Sequence, residues 1–366
     1  MKLSWTTARL ELASPLRISR ATMSGRDAVW VELAVDGHTG FGEVVSSERF
    51  GLDTAIIEET LTDIAARTAK YSEPEQLRAH LALLRLDFTH ALPVVAALDS
   101  AVHDLLTRRA GVTMGTYLKL PQWDSVRTAY TIGLMPVEQA AETARRLAAD
   151  GFGVLKIKAG APDPDEDIAR VRAIRAAAPT ADLLLDPNGA WTADTAIRVL
   201  RALADIGLGA VEQPVPAGNP AELGAVARAV PMPIIADEDA GTIADLRLLP
   251  PDIAGINIKL AECGGLDAAR AMLTWATHHG KSVLLGCQAS SSLGIAPALH
   301  LAGAARWIDL DGHLLLADDP WTGLGGTDGI LHRPSAPGLG VHPTPVAAGP
   351  ADRAPESARR DPEAPE

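Results

Sequence analysis

The chain has 366 residues, 47% hydrophobic and 22% charged, a balance that supports a large core and excludes wholesale disorder. Lysine and arginine number 33 against 46 for aspartate and glutamate, a formal charge of -13, so nucleic acid and membrane are excluded as expected partners because an acidic surface repels phosphate backbones and anionic lipid. Cys263 and Cys287 are the only cysteines, too few for a disulfide framework or a structural zinc site, which fits a reducing compartment.

The N-terminus, Met1-Lys2-Leu3-Ser4-Trp5, alternates polar and apolar residues and lacks the apolar run of a signal peptide. No stretch approaches the roughly 20 apolar residues of a spanning helix. A cytoplasmic protein is expected. To about residue 50 the pattern predicts strands and turns: Val29 to Val35 alternates, Asp36-Gly37 marks a hairpin, and Gly40-Phe41-Gly42-Glu43 follows. From about 54 to 111 helical spacing takes over. Val94, Val95, Leu98, Val102, Leu105 and Leu106 form one apolar stripe that Gly111 stops. Residues 1–125 therefore read as an N-terminal α+β unit, a small sheet followed by three helices.

Beyond about residue 125, short apolar runs alternate with helical stretches rich in Ala, Arg and Leu. The runs start near Val126, Val154, Leu183, Ala210, Pro233, Gly255, Ser282 and Trp307, at intervals of roughly 22 to 29 residues, the repeat of a parallel eight-stranded α/β barrel. An open doubly wound sheet is the alternative, weakened by the lack of Gly-x-Gly-x-x-Gly after an early strand. The barrel is assigned to 126–345. Residues 346–366 are a Pro, Ala and charged segment, expected to be a disordered tail because it cannot bury enough apolar surface.

The polar residues of the barrel segment gather at the C-terminal ends of the proposed strands, where barrel enzymes place their sites. In Val154-Leu155-Lys156-Ile157-Lys158 the period of two puts both lysines on one face. Inside the barrel, each ammonium is expected to depress the other's pKa and make a general base; a solvated strand edge is the plainer reading. Asp186, Glu212 and Asp237 end three successive strands, and three convergent oxygen ligands suit Mg²⁺. Singly, Asp186-Pro187-Asn188-Gly189 also fits a turn, and Asp237 or Asp239 a helix cap. Lys259 closes the sixth strand, across the barrel axis from Lys158, so two bases can face one carbon from opposite sides, as racemisation requires. Asp309 and Asp311 share a face at the eighth strand's end, where a substrate ammonium or a helix cap would take them.

The set Lys156-x-Lys158, Asp186, Glu212, Asp237 and Lys259, after an α+β N-terminal part, resembles the enolase superfamily within its muconate lactonizing enzyme subgroup, over about residues 1 to 345. The resemblance implies an N-terminal α+β capping domain over a modified TIM barrel, (β/α)7β, with Mg²⁺ held by Asp186, Glu212 and Asp237. It implies that the ion takes the substrate carboxylate and stabilises the enolate left when the neighbouring carbon loses a proton. Lys158 and Lys259 would be the acid/base catalysts, Lys156 a supporting cation lowering the pKa of Lys158, and Asn188 a hydrogen-bonding neighbour.

Asp309-Leu310-Asp311 looks like the Asp-x-Asp feature of dipeptide epimerases, which binds the α-ammonium, so the expected reaction is epimerisation at a dipeptide's C-terminal residue. Two departures stand out. Gly286-Cys287-Gln288-Ala289-Ser290 lies where many relatives carry a methionine and, two residues on, a glutamate, so Lys259 lacks its usual orienting partner and Gln288 and Ser290 become candidate substrate contacts. In the mobile cap loop, about Arg17 to Arg26, Ala21 stands opposite the arginine that Ala-Glu epimerases use, leaving Arg20, with Arg17, as the substitute. An N-acylamino acid racemase, acting on an N-acylated amino acid, or an o-succinylbenzoate synthase could use the same lysines and metal, but neither has an ammonium for Asp309 and Asp311. A Schiff-base aldolase on Lys158 or Lys259 leaves the acids without a role, and a non-catalytic binding barrel leaves the whole set without one. A homo-oligomer is expected, as for many soluble enzymes.

Overall fold

The computed structural model describes residues 1–345; the segment expected to be a disordered tail, 346–366, lies outside the described residues. Strands β1 (Lys2–Arg17), β2 (Thr22–Val35) and β3 (His38–Val45) form an antiparallel sheet in chain order. Asp36 and Gly37, at φ 50° and 77°, make the tight turn that the Asp-Gly pair predicts. The cap loop is shorter than the expected span of Arg17 to Arg26. β2 already starts at Thr22, and Ile18 N–H bonds Ala21 O across a four-residue turn.

Helices α1 (Thr54–Thr68), α2 (Pro74–Asp87) and α3 (Leu92–Ala110) follow. Asp53 caps α1 by accepting from Ile56 N–H, Pro74 opens α2 where no N–H is needed, and Gly111 ends α3 in the left-handed conformation. The α3 stripe is fully buried against β2, α1 and α2, each large side chain contributing about 1.5 to 3 kcal/mol. The two glycines before Glu43 have a packing cause: a Cβ at Gly40 or Gly42 would sit 2.1 or 2.0 Å from the carbonyl oxygens of Ala101 or Ala97. β3 lies directly on α3.

After the one-turn α4 (Met114–Tyr117), the run near Val126 does not open the barrel. It forms β4 (Ser125–Arg127), which pairs antiparallel with a late strand at 330–332. The first barrel strand is β5 (Tyr130–Ile132), a few residues later than expected. Strand and helix then alternate through α5 (Val137–Ala149), β6 (Val154–Lys158), α6 (Pro164–Ala177), β7 (Asp182–Asp186), α7 (Ala193–Ala202), β8 (Leu208–Glu212), α8 (Pro220–Ala229) and β9 (Ile234–Ala236). Two short 3₁₀ turns, Glu238–Ala240 and Asp245–Leu248, replace the next helix. β10 (Gly255–Ile258), the one-turn α9 (Leu260–Cys263), α10 (Leu266–His278), β11 (Ser282–Leu285), α11 (Ser292–Leu299) and β12 (Trp307–Ile308) complete the repeat. The eight strands β5 to β12 pair in parallel and in order, and Ala129 N–H bonds Ile308 O at 2.8 Å to bring the two edges together. Ala129, Leu184, Ala210, Ile235 and Leu284 fill the barrel floor. No single helix among the described residues is long and apolar enough to cross a membrane.

Buried carboxylates join cap to barrel. Glu43 accepts from Trp30 Nε1, Ser291 N and Ser291 Oγ, fixing the N-terminus of α11. Asp99 accepts from Leu266 N–H at the start of α10, and Asp104 from Phe41 and Leu339 N–H. Burial, opposed by those hydrogen bonds and reinforced by Asp319, pushes the Glu43 carboxyl up to about 7 from an ordinary 4.5. A carboxyl whose folded pKa is raised binds more protons folded than unfolded, so its contribution to stability is greatest below 4.5 and falls as pH rises toward 7. Urea unfolding of wild type and Glu43→Gln between pH 4.5 and 8 should show wild type losing on the order of 3 kcal/mol relative to the variant. A difference that does not move with pH would remove Glu43 as its source.

Candidate active site

Strand alternation sends Leu155 and Ile157 into the layer between sheet and helices, and Lys156 and Lys158 into the barrel. Lys156 Nζ lies 2.6 Å from Asp309, 2.7 Å from Glu212 and 3.1 Å from Asp186. Lys158 Nζ lies 2.5 Å from Asp186, its neighbour in register across β6 and β7. Lys259, immediately after β10, lies 2.6 and 2.8 Å from the two oxygens of Asp237. Around the sheet the order is therefore Lys158, Asp186, Glu212, Asp237, Lys259, with the lysines flanking the acids. Lys156 is 3% exposed, against 12% for Lys158 and 11% for Lys259; it is sunk beneath the other two.

The expectation that the paired lysines depress one another fails for Lys156. Burial pulls its ammonium down, but Asp309, Glu212 and Asp186 outweigh burial and hold it well above the ordinary lysine value. Asp186 is raised by burial yet held below the carboxylate range by Lys158 and Lys156. Burial likewise raises Asp237, and Lys259 with Arg49 brings it below its ordinary value. Glu212 goes the other way. Burial and the charges of Asp186 and Asp237 push it up to about 8 against the pull of Lys156 and Lys259.

Among the described residues no three acids, histidines or cysteines already close on one point. Lys156 bridges Asp186 to Glu212, and Lys259 bridges Asp237 to Glu212 at 4.0 Å. The donor set nonetheless fits Mg²⁺: three hard carboxylates on adjacent strand ends, one of them, Glu212, raised by burial and by its neighbours' negative charge.

Asn188 hydrogen-bonds Asp186 through its backbone N–H at 2.9 Å and through Nδ2 at 3.3 Å. Asp311 accepts from Thr131 N–H at 2.7 Å, and burial and Asp309 push it up to about 6. The Oδ1 atom of Asp309 is buried without a hydrogen-bond partner. Ser290 and Gln288 line a small cavity of about 50 Å³ with Lys259 and Glu43. Arg20 reaches across from the cap turn to Glu238 at 2.9 Å and Asn188 O at 3.4 Å, so its guanidinium is engaged by the barrel rim. Arg17 lines a separate cleft of about 800 Å³ with Tyr130, Thr131 and Arg146.

Several neighbours escaped the sequence reading. Asn257 donates to Glu212 at 2.7 Å; it stands two residues before Lys259, and the alternation that paired Lys156 with Lys158 could have found it. Gln213 accepts from Asp237 and Asp239 N–H and steadies that strand end. Glu262 lies 3.6 Å from Lys259 and is held by Arg49 at 2.9 Å, across 213 positions of sequence. No local pattern signals that pair.

A sheet-and-helix cap over a parallel barrel, with Lys-x-Lys, three acids and a further lysine on successive strand ends, defines an enolase-like protein. Residues 2–118 match the mandelate racemase/muconate lactonizing enzyme N-terminal domain and residues 139–347 the enolase C-terminal domain-like family; the chain belongs to that family. It is 32% identical to the hydrophobic dipeptide epimerase of Roseobacter litoralis, over 93% of this chain and 98% of that one. To the L-Ala-D/L-Glu epimerase of Escherichia coli it is 33% identical, over 88% and 96%. The Enterococcus faecalis dipeptide epimerase, solved with Mg and the dipeptide L-Leu-L-Tyr, superposes with a TM-score of 0.86 at 30% identity, over 93% and 98%.

Replacing Lys156 with methionine leaves three buried carboxylates without their shared cation. A loss of about 3 to 5 kcal/mol is expected by urea unfolding in EDTA; wild-type stability would mean that the acids are neutralised elsewhere.

Proposed function

We propose that the chain is a dipeptide epimerase that moves a proton off and onto the α-carbon of the substrate's C-terminal residue. The observation carrying this reading is the order Lys158, Asp186, Glu212, Asp237, Lys259 around the barrel mouth, a lysine at each end of an acid triad. Mg²⁺ held by Asp186, Glu212 and Asp237 would supply positive charge to the substrate carboxylate as negative charge builds on it. One lysine, as the amine, takes the α-proton from one face. The other, as ammonium, delivers a proton to the opposite face, so the product is inverted and the two lysines end with exchanged protonation. Lys156 holds Asp186, Glu212 and Asp309 in place, and Asn188 orients Asp186.

Asp309 and Asp311 receive the dipeptide ammonium in this reading. The unpartnered Asp309 Oδ1 and the raised, buried Asp311 support a cationic occupant. Gln288 and Ser290, beside Lys259, are assigned to the substrate. Relatives of this chain act on hydrophobic and on Ala-Glu dipeptides, so the reading extends to dipeptides as a class. The 2.6 Å pair between Lys156 and Asp309 favours a second reading, an N-acylated amino acid with no ammonium to bind.

Dipeptide mixtures incubated in D₂O with Mg²⁺ should gain one deuterium at one α-carbon. EDTA should stop the gain, and Lys158→Ala should cut inversion by at least about 10²- to 10⁴-fold. Asp311→Asn should raise KM for dipeptides more than it lowers kcat. Unchanged dipeptide kinetics in Asp311→Asn, with turnover of N-acylated amino acids, would move the substrate to the second class.

A further inference from the structure

The two proposed acid/base lysines are not held alike. Lys158 meets Asp186. Lys259 has three carboxylates within 4.0 Å: Asp237, Glu212 and Glu262. The first two belong to the acid triad, so Glu262 is the acceptor that stays with Lys259 when the triad is engaged by a cation. The segment after strand β11 offers no acid in its place, since Gln288 and Ser290 stand there.

Glu262 is well built for the task. α9 starts directly after Lys259, and Glu262 N–H bonds the Lys259 carbonyl at 3.0 Å, so one helical turn carries the carboxylate back toward the ammonium. Gly264 and Gly265, at φ 90° and 112°, end that turn in a conformation that side chains rarely adopt. The Glu262 side chain is 4% exposed, and Arg49 holds it at 2.9 Å from the cap's 3₁₀ turn Glu48–Phe50. Arg49 is itself braced, its guanidinium 5.1 Å from the Phe50 ring centre.

We propose that Glu262, clamped by Arg49, is the positioning residue for Lys259, so that the cap sets the geometry of one of the two proton transfers and leaves the other alone. Lys259 as the amine takes the α-proton to become ammonium, leaving the electron pair on the α-carbon; in reverse, the ammonium N–H bond breaks and the C–H bond forms. Glu262 acts through Lys259 alone. It fixes where Nζ points during both steps.

The inference rests on the proposed reaction, and the test separates the two. α-Proton exchange in D₂O is followed from each epimer separately, together with inversion. Lys259→Ala first shows which epimer Lys259 deprotonates. Glu262→Gln and Arg49→Gln should slow exchange from that same epimer about 10- to 100-fold, while exchange with retention from the other epimer, through Lys158, stays within about twofold of wild type. Glu262→Asp should recover part of the loss, and the Mg²⁺ Kd by calorimetry should be unchanged in Glu262→Gln. Equal slowing from both epimers, no slowing from either, or weakened Mg²⁺ binding would make the Arg49 to Glu262 pair a structural tie and overturn the proposal. Absence of exchange from wild type with any dipeptide or N-acylated amino acid would instead overturn the reaction beneath it.

Discussion

Charge that is buried must be matched, and the barrel mouth leaves a defined remainder. Lys156, Lys158, Lys259, Arg49 and Arg20 stand against Asp186, Glu212, Asp237, Glu238, Glu262, Asp309 and Asp311. Five cations face seven acids, a formal excess of two negative charges in a setting where Coulomb interactions are only weakly screened. The strain of that excess is visible in Glu212 at about 8 and Asp311 at about 6, both pushed up first by burial and then by neighbouring acids. A divalent cation held by the acids would offset that excess.

The cap is seated on that mouth through directional bonds. Arg20 reaches the rim after β9, Arg49 the turn after β10 and Glu43 the helix start after β11. Each link ends within a few residues of a side chain assigned to chemistry: Asp237, Lys259 or Ser290. An apolar interface could tolerate sliding, whereas ion pairs and N–H caps on buried carboxylates specify one seating.

How much of this is legible in the sequence follows from the range of each interaction. Strand alternation is local, so spacing alone puts Lys156 and Lys158 on the barrel's inner face, and apolar runs mark strands at Val154, Leu183 and Ser282. The run at Val126 misleads because β4, Ser-Val-Arg, falls at the spacing expected of a barrel strand while pairing outside the barrel, with the strand at 330–332. The cap loop is overestimated because Thr22 to Arg26 is cationic and polar, yet it is tied to β1 by backbone pairing. Lysine against lysine is legible in β6, but the acids that reverse the effect on Lys156 come from β7, β8 and beyond β12. Arg49 with Glu262 and Glu43 with Ser291 join residues more than 200 positions apart, and nothing in a single sequence pairs them.

Arg20 shows how such long-range pairing redirects a functional reading. As a free cation on the cap turn it would suit an acidic substrate side chain. In the structure it spans to Glu238, itself 10% exposed, while Arg20 is 45% exposed. A pair so open to solvent holds with at most about 1 kcal/mol, so a substrate carboxylate could displace Glu238. Doing so would strand Glu238, which burial and Asp237 already push above its ordinary carboxyl value. In this structure the pairing ties the cap turn to the rim.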